Sequence, residues 1–211
     1  MSVHIPKSAG TSFKWVLQRI YGERVWFDYG RAFTRDQVRP GLVPYGMRCI
    51  HGHFRADAFD DLYPERTLIT WVRHPVERVA ATYHHFLRTP DMADDCCRAL
   101  YERRLSLRAF ADLEWMRDTA TRYLAGLPVE AFAFVGIVER FDDSLRRFVD
   151  EFGQGPLAAV PRQNVNRSRA ARGYDLSPED FDYIRQRNET DCRWYEEALQ
   201  ASPRAGAAGV S

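Results

Sequence analysis

Val3-His4-Ile5-Pro6-Lys7-Ser8-Ala9-Gly10-Thr11-Ser12-Phe13 reads as a short apolar strand, a turn of small residues and the opening of an amphipathic helix. The first turn of a helix leaves backbone N–H groups without intrahelical partners and places the positive end of the helix dipole beside them, so this arrangement builds an anion cradle. Lys7 adds a mobile positive charge. Its identity is informative, because among 30 basic residues only Lys7 and Lys14 are lysine. The same local pattern also serves as an ordinary loop with Lys7 exposed and Thr11 or Ser12 capping the helix. The Walker order G-x-x-x-x-G-K-[ST] is absent, since Lys7 precedes Gly10 instead of following a second glycine, and this counts against nucleoside triphosphate hydrolysis.

Outward from this stretch, Phe13, Val16, Leu17 and Ile20 fall on one helical face. Arg24 to Phe27 is a strand candidate, 28 to 45 an aperiodic loop with one helical turn at most, and Met47 to Ile50 a second strand leading into His51-Gly52-His53. Thr67 to Val72 is a continuous apolar run of the kind buried on both faces of a parallel sheet. It stops at Arg73-His74-Pro75, where Pro75 suits a first helical position and Val76, Val79, Ala80, Tyr83, Phe86 and Leu87 mark a helix face. Strand, basic turn and helix therefore occur twice. Residues 96 to 125 read as two or three short helices closed by Gly126, Phe132 to Val138 as a further buried strand, and Phe141 to Phe152 as an amphipathic helix. Residues 154 to 173 are aperiodic and carry Arg162, Arg167, Arg169 and Arg172, which either close over an anion or keep a loop solvated. Ser177-Pro178-Glu179-Asp180 caps one long helix running through Phe181, Ile184, Tyr195 and Leu199.

This alternation predicts an α/β fold with three layers and a central, mainly parallel sheet flanked by helices. At 211 residues and 45% hydrophobic content the expectation is one domain over residues 1–201 and a disordered tail over 202–211. A net charge of +1 gives no general basic surface for nucleic acid, so an anion must be met by local placement. No apolar run is long enough for a membrane span and no secretory leader is evident, which makes the cytoplasm the expected compartment. Cys49, Cys96, Cys97 and Cys192 form no C-x-x-C pair and are expected to be reduced thiols. Only Ser2 to Ile5 remain for the first strand, fewer than a buried central strand usually has, and this predicts a longer reading frame with apolar residues upstream.

Ligands of parallel sheets bind beyond the carboxyl ends of the strands, and the Lys7 loop, His51/His53 and Arg73 all fall there. A neutral imidazole at 51 or 53 can take a proton from an incoming hydroxyl. The alternatives are one hydrogen-bonded and one solvated histidine, or a metal held by Cys49, His51 and His53, for which no second ligand group is evident. Arg73 suits a forked contact with phosphate, or equally a structural ion pair with Glu77 or Asp57.

His4-Ile5-Pro6-Lys7-Ser8-Ala9-Gly10-Thr11-Ser12, His51-Gly52-His53-Phe54 and Val72-Arg73-His74-Pro75-Val76-Glu77-Arg78 with Tyr83 together resemble the sulfotransferase superfamily, nearest to the branch of heparan sulfate 2-O-sulfotransferases and their bacterial relatives. Thr121 to Gly126 and Phe134 to Phe141 resemble the same branch. The resemblance implies a P-loop-like fold, the co-substrate 3'-phosphoadenosine 5'-phosphosulfate, and transfer of its sulfuryl group to an acceptor hydroxyl on a saccharide, a small natural product or a protein. It implies no metal. By the same resemblance Lys7, Ser8, Ala9, Gly10, Thr11 and Ser12 hold the phosphosulfate and Arg73 the 3'-phosphate, while His51 or His53 is the base and Lys7 stabilises the leaving oxygen; Arg167, from the basic stretch at 162–172, is a further candidate contact to the donor. The family's serine eight residues after the arginine is here Ala81, with Thr82 beside it as a substitute pointing about 100° away on an ideal helix. Competing expectations are a module that binds the donor, its product or a sulfated ligand without turnover, and a nucleotide kinase with a variant loop.

Overall fold

The computed structural model describes residues 1–30, 33–153 and 174–202. Within them five strands form one sheet, β1 (Ser2–Val3), β2 (Val25–Asp28), β3 (Cys49–Gly52), β4 (Ile69–Val72) and β5 (Phe134–Ile137), in the order β2-β3-β1-β4-β5. Every pairing is parallel, with Ser2 opposite His51 on one side and Ile69 on the other. The expected three-layer α/β architecture with a central parallel sheet is what the chain adopts.

The two faces of the sheet follow from the period of two along each strand. Cys49, Ile69 and Trp71 face Phe13, Val16 and Leu17 of α1 (Gly10–Tyr21) and Phe148 of α6 (Phe141–Phe152). Ile50, Val72 and Ile137 face the other way and share a core with Tyr123 and Leu124, at the end of α5 (Thr119–Tyr123), and with Trp194, Tyr195 and Ala198 of α8 (Glu189–Ala201). A third core joins Val76, Val79 and Phe86 of α2 (Pro75–Arg88) to α3 (Asp95–Glu102), α4 (Leu107–Ala111) and Ile184 of α7 (Pro178–Arg187).

Most strands are shorter than their apolar runs, and β3 lies further along the chain than expected, taking in His51 and Gly52. Gly52 explains the extension. A Cβ there would lie 1.7 Å from the Asp28 carbonyl oxygen, so only glycine lets the ladder continue to where the His53 amide donates to that oxygen at 2.8 Å. The long C-terminal helix is instead two helices parted at Asn188. Asn188 is fully buried, its amide donating to Ile184 O and its oxygen accepting from the Asp118 amide at 3.0 Å. Three residues on, the buried Asp191 accepts from the amides of Ala120 and Thr121 and from the Thr121 hydroxyl. Breaking the helix aims both side chains at the start of α5, whose orphan N–H groups would otherwise cost about 1–3 kcal/mol each if left buried. The capping expectations at Ser177 and Pro75 match the structure. Ser202, placed in the tail by the sequence, is buried and accepts from Arg140 at 3.2 Å. Among the described residues no helix is long and apolar enough to cross a membrane.

Candidate active site at the carboxyl edge of the sheet

Four neighbouring strands are each followed at once by a residue with chemistry to offer, His4 after β1, Tyr29 after β2, His53 after β3 and Arg73 after β4. Parallel register brings all four to one edge.

The turn from β1 to α1 is held in an unusual backbone conformation. Lys7 and Ala9 are both left-handed, with φ of 65° and 60°, which for non-glycine residues costs about 1–2 kcal/mol each. The turn is closed by Ser8 N–H on Ile5 O at 3.2 Å and by Phe13 N–H on Ala9 O at 3.0 Å. Ala9, at the N-cap, offers no side-chain hydrogen bond to α1, and no acidic residue occupies its first turn. Ser8 is 1% exposed, yet its hydroxyl meets no hydrogen-bond partner. A buried hydroxyl in that state is costly unless a ligand completes it. Burial first, and the neighbouring Arg73 second, push the Lys7 amine down to about 8, so it remains mostly protonated at neutral pH.

Beside this turn lie three imidazoles. His51 projects from β3 toward Phe13, is 1% exposed, and shares a 2.8 Å hydrogen bond between its Nδ1 and the Ser2 hydroxyl. His4 stacks on it with ring centroids 5.1 Å apart at 12°, and the edge-on contact of His4 with His53 is closer, at 4.5 Å. Burial lowers all three, His4 well below its ordinary value, His51 to about 3 and His53 to about 4. All are therefore neutral near pH 7. His53 is the less enclosed of the expected pair and meets Tyr29 edge-on at 4.8 Å. From it an aromatic run continues through Tyr123 and Phe33 to the exposed Trp115. Among the described residues no group of three or more His, Cys, Asp or Glu is arranged to hold a metal ion.

Arg73 lies across the loop from the histidines. Its Nη1 approaches the Lys7 carbonyl at 3.5 Å, the outer limit of a hydrogen bond, and its Nη2 pairs with Glu77 at 3.1 Å in a largely buried contact. Glu77 accepts with its other oxygen from the Tyr174 amide at 3.0 Å. The ion pair with Glu77, one of the two roles the sequence allowed, is thus present together with proximity to the loop. Thr82 is buried and its hydroxyl donates to Arg78 O at 2.9 Å, and Ala81 is buried in α2. Arg78 is itself enclosed and donates to Met116 O at 2.9 Å. Arg167 and the arginines at 162, 169 and 172 lie outside the described residues. His84 stacks on Tyr174 with centroids 4.8 Å apart, away from the histidine cluster. A surface groove of about 300 Å³, lined by Arg185, Glu189, Cys192 and Glu196 among others, includes none of Lys7, His51 or His53.

The sequence did not single out His4 or Tyr29 as site residues. A signal for both existed, since each directly follows a strand and the register of a parallel sheet sets such positions side by side.

No protein-family model matches the chain, and no curated protein matches it. Among solved structures it is similar to a sulfotransferase from Alicyclobacillus acidocaldarius, at 16% identity over 91% of this chain and 94% of that one with a TM-score of 0.43. It is also similar to mouse sulfotransferase SULT7A1 complexed with PAP, at 12% identity over 98% of this chain and 85% of that one with a TM-score of 0.47. Likenesses at this level leave the activity of this chain to be argued from its own residues.

Proposed function

We propose that the chain is a sulfotransferase that moves the sulfuryl group of 3'-phosphoadenosine 5'-phosphosulfate to an acceptor hydroxyl. The observation that carries this reading is the buried, unsatisfied Ser8 hydroxyl at a helix start whose N-cap residue is an alanine, with Lys7 on one side and neutral histidines on the other. A bound phosphosulfate satisfies Ser8 and the helix dipole together, and the sequence motifs at 4–12, 51–54 and 72–78 agree with it.

In this scheme His53 is the base. It is the more accessible of the pair, whereas one ring nitrogen of His51 is engaged by Ser2 and its ring is covered by His4. The acceptor oxygen attacks sulfur, its proton passes to His53, the bond from sulfur to the phosphate oxygen breaks, and the electron pair stays on that oxygen. Lys7 and the first turn of α1 stabilise the charge that grows there, a role worth about 3 kcal/mol for one well-placed donor. Negative charge from the donor raises the proton affinity of His53, offsetting the depression it shows without ligand. Arg73 binds the 3'-phosphate once its guanidinium is shared between that group and Glu77. The acceptor approaches past Tyr29.

A module that binds the donor or its product without turnover is a second reading, favoured by the low basicity of the histidines. Calorimetry with 3'-phosphoadenosine 5'-phosphate (PAP) and with ATP plus magnesium tests both. Binding of PAP, followed by sulfate addition to a panel of hydroxyl compounds detected by mass spectrometry and lost in His53→Ala, is the expected result. Tight binding of ATP and none of PAP sinks the proposal, and PAP binding with no transfer to any acceptor favours the module.

A further inference from the structure

Gly10 opens α1 and has an ordinary negative φ, so the backbone does not demand glycine there. What demands it is His4. A Cβ built on residue 10 would lie 1.8 Å from His4 Nε2 and 2.1 Å from the two adjacent ring carbons, far inside any tolerable contact. The ring of His4 therefore lies directly against the first residue of the helix whose N-terminus forms the cradle.

The same ring is restrained by three further side chains. Its Nδ1 shares a hydrogen bond with the Tyr29 hydroxyl at 3.1 Å, which ties it to the end of β2. Its face is stacked on His51 at 5.1 Å, and His53 meets it at 4.5 Å. The backbone adds a further tether, since the His4 amide donates to Gly52 O at 2.8 Å between the two residues of the His-x-His pair. One imidazole thus touches the anion cradle, both candidate bases and the neighbouring strand. With its Nδ1 bonded to Tyr29 and its Nε2 against a Cα, the His4 ring is placed to hold other groups and not to take the acceptor's proton itself.

We infer that His4 is a positioning residue, a ring wedged between Gly10 and the His51/His53 pair that fixes how far the cradle stands from the base. The inference rests on the sulfotransferase reading only for what the cradle holds; the wedge itself is a matter of geometry. Two reacting groups on separate loops must be held within a few tenths of an ångström for in-line transfer, and a shared rigid side chain does this without adding a charge to the site.

The test is a double-substitution cycle on His4 and Gly10, read by calorimetric affinity for PAP and by thermal midpoint. Gly10→Ala is expected to weaken PAP binding about tenfold or more and to lower the midpoint, because the new methyl drives the His4 ring out of place. In His4→Ala the space is open, so adding Gly10→Ala there should change PAP affinity by no more than about threefold. Additive effects, or a harmless Gly10→Ala in the unaltered chain, overturn the wedge. Tyr29→Phe removes only the hydrogen bond and offers a second cycle if Gly10→Ala does not fold. It should weaken PAP binding about threefold in the unaltered chain and leave His4→Ala unchanged, whereas equal losses in both backgrounds speak against the inference. His4→Gln, which keeps a polar group within reach of Tyr29, should recover part of the PAP affinity that His4→Ala loses; a residue that merely filled the core would show no such recovery. An unaltered chain that fails to bind PAP, while the thermal cycle on His4 and Gly10 remains non-additive, removes the donor reading and leaves the wedge standing.

Discussion

The strands β1 and β4 lie side by side in the sheet and each runs straight into a helix, but the two helix starts are furnished in opposite ways. At α1 the turn is left-handed at Lys7 and Ala9, the first turn carries no acid, and the Ser8 hydroxyl is buried without a partner. At α2 the first helical residue is Pro75, the His74 amide donates to Glu139 at 3.1 Å, and Glu77 in the first turn pairs with Arg73. The second start brings its own carboxylates; the first has none. A helix N-terminus attracts an anion in both cases, and the difference decides whether that anion belongs to the protein or comes from solution.

Substitutions that erase the contrast should have graded effects. Lys7→Ala removes the cation from the open start and should slow transfer by about two orders of magnitude, roughly 3 kcal/mol, measured as the rate of PAP release with any acceptor that supports turnover. Thr11→Asp makes the first turn of α1 resemble that of α2. Thr11 is exposed, so the fold should tolerate the change, while a carboxylate in the first turn opposes a bound phosphate and should weaken PAP affinity by about tenfold or more by calorimetry. Arg73→Ala should cost about tenfold in the same measurement, the value of one hydrogen bond to a charged group. Glu77→Gln works the other way, releasing Arg73 from its internal partner and tightening PAP about threefold at some loss of thermal stability. An unchanged affinity in Glu77→Gln would show that the ion pair does not compete with the ligand.

The histidine side of the contrast is read through pH. With His51 held at about 3 against an ordinary 6.5, the folded chain binds fewer protons than the unfolded chain between those values. Its contribution to stability is complete above pH 6.5 and is lost as pH falls toward 3, and His4 and His53 act in the same direction. The thermal midpoint should drop across this window, and the drop should be shallower in His51→Gln.

Much of this was legible in the sequence because it depends on local signals. The apolar run before Arg73, the small residues after Ile5 and the Pro75 and Ser177 helix starts each specify their own geometry, and together they give the parallel sheet and its carboxyl edge. Features that depend on distant partners were not legible. The break at Asn188 answers the orphan amides of a helix start 70 residues earlier, at Asp118. The reason for glycine at position 10 lies in a ring that follows the preceding strand, and the pairing of Arg73 with Glu77 needed the fold of α2.

The depressed amine of Lys7 has a practical corollary. An ordinary lysine amine, with a pKa near ~10.4, is almost wholly protonated at pH 8, and only the neutral amine is nucleophilic. Lys7, at about 8, is half in that form. In a chain with a single other lysine, a limiting dose of an acylating reagent should therefore mark residue 7 first among the side-chain amines, and occupancy of the cradle should shield it. The loop thus carries its own chemical footprinting probe, legible by peptide mass without any knowledge of the acceptor.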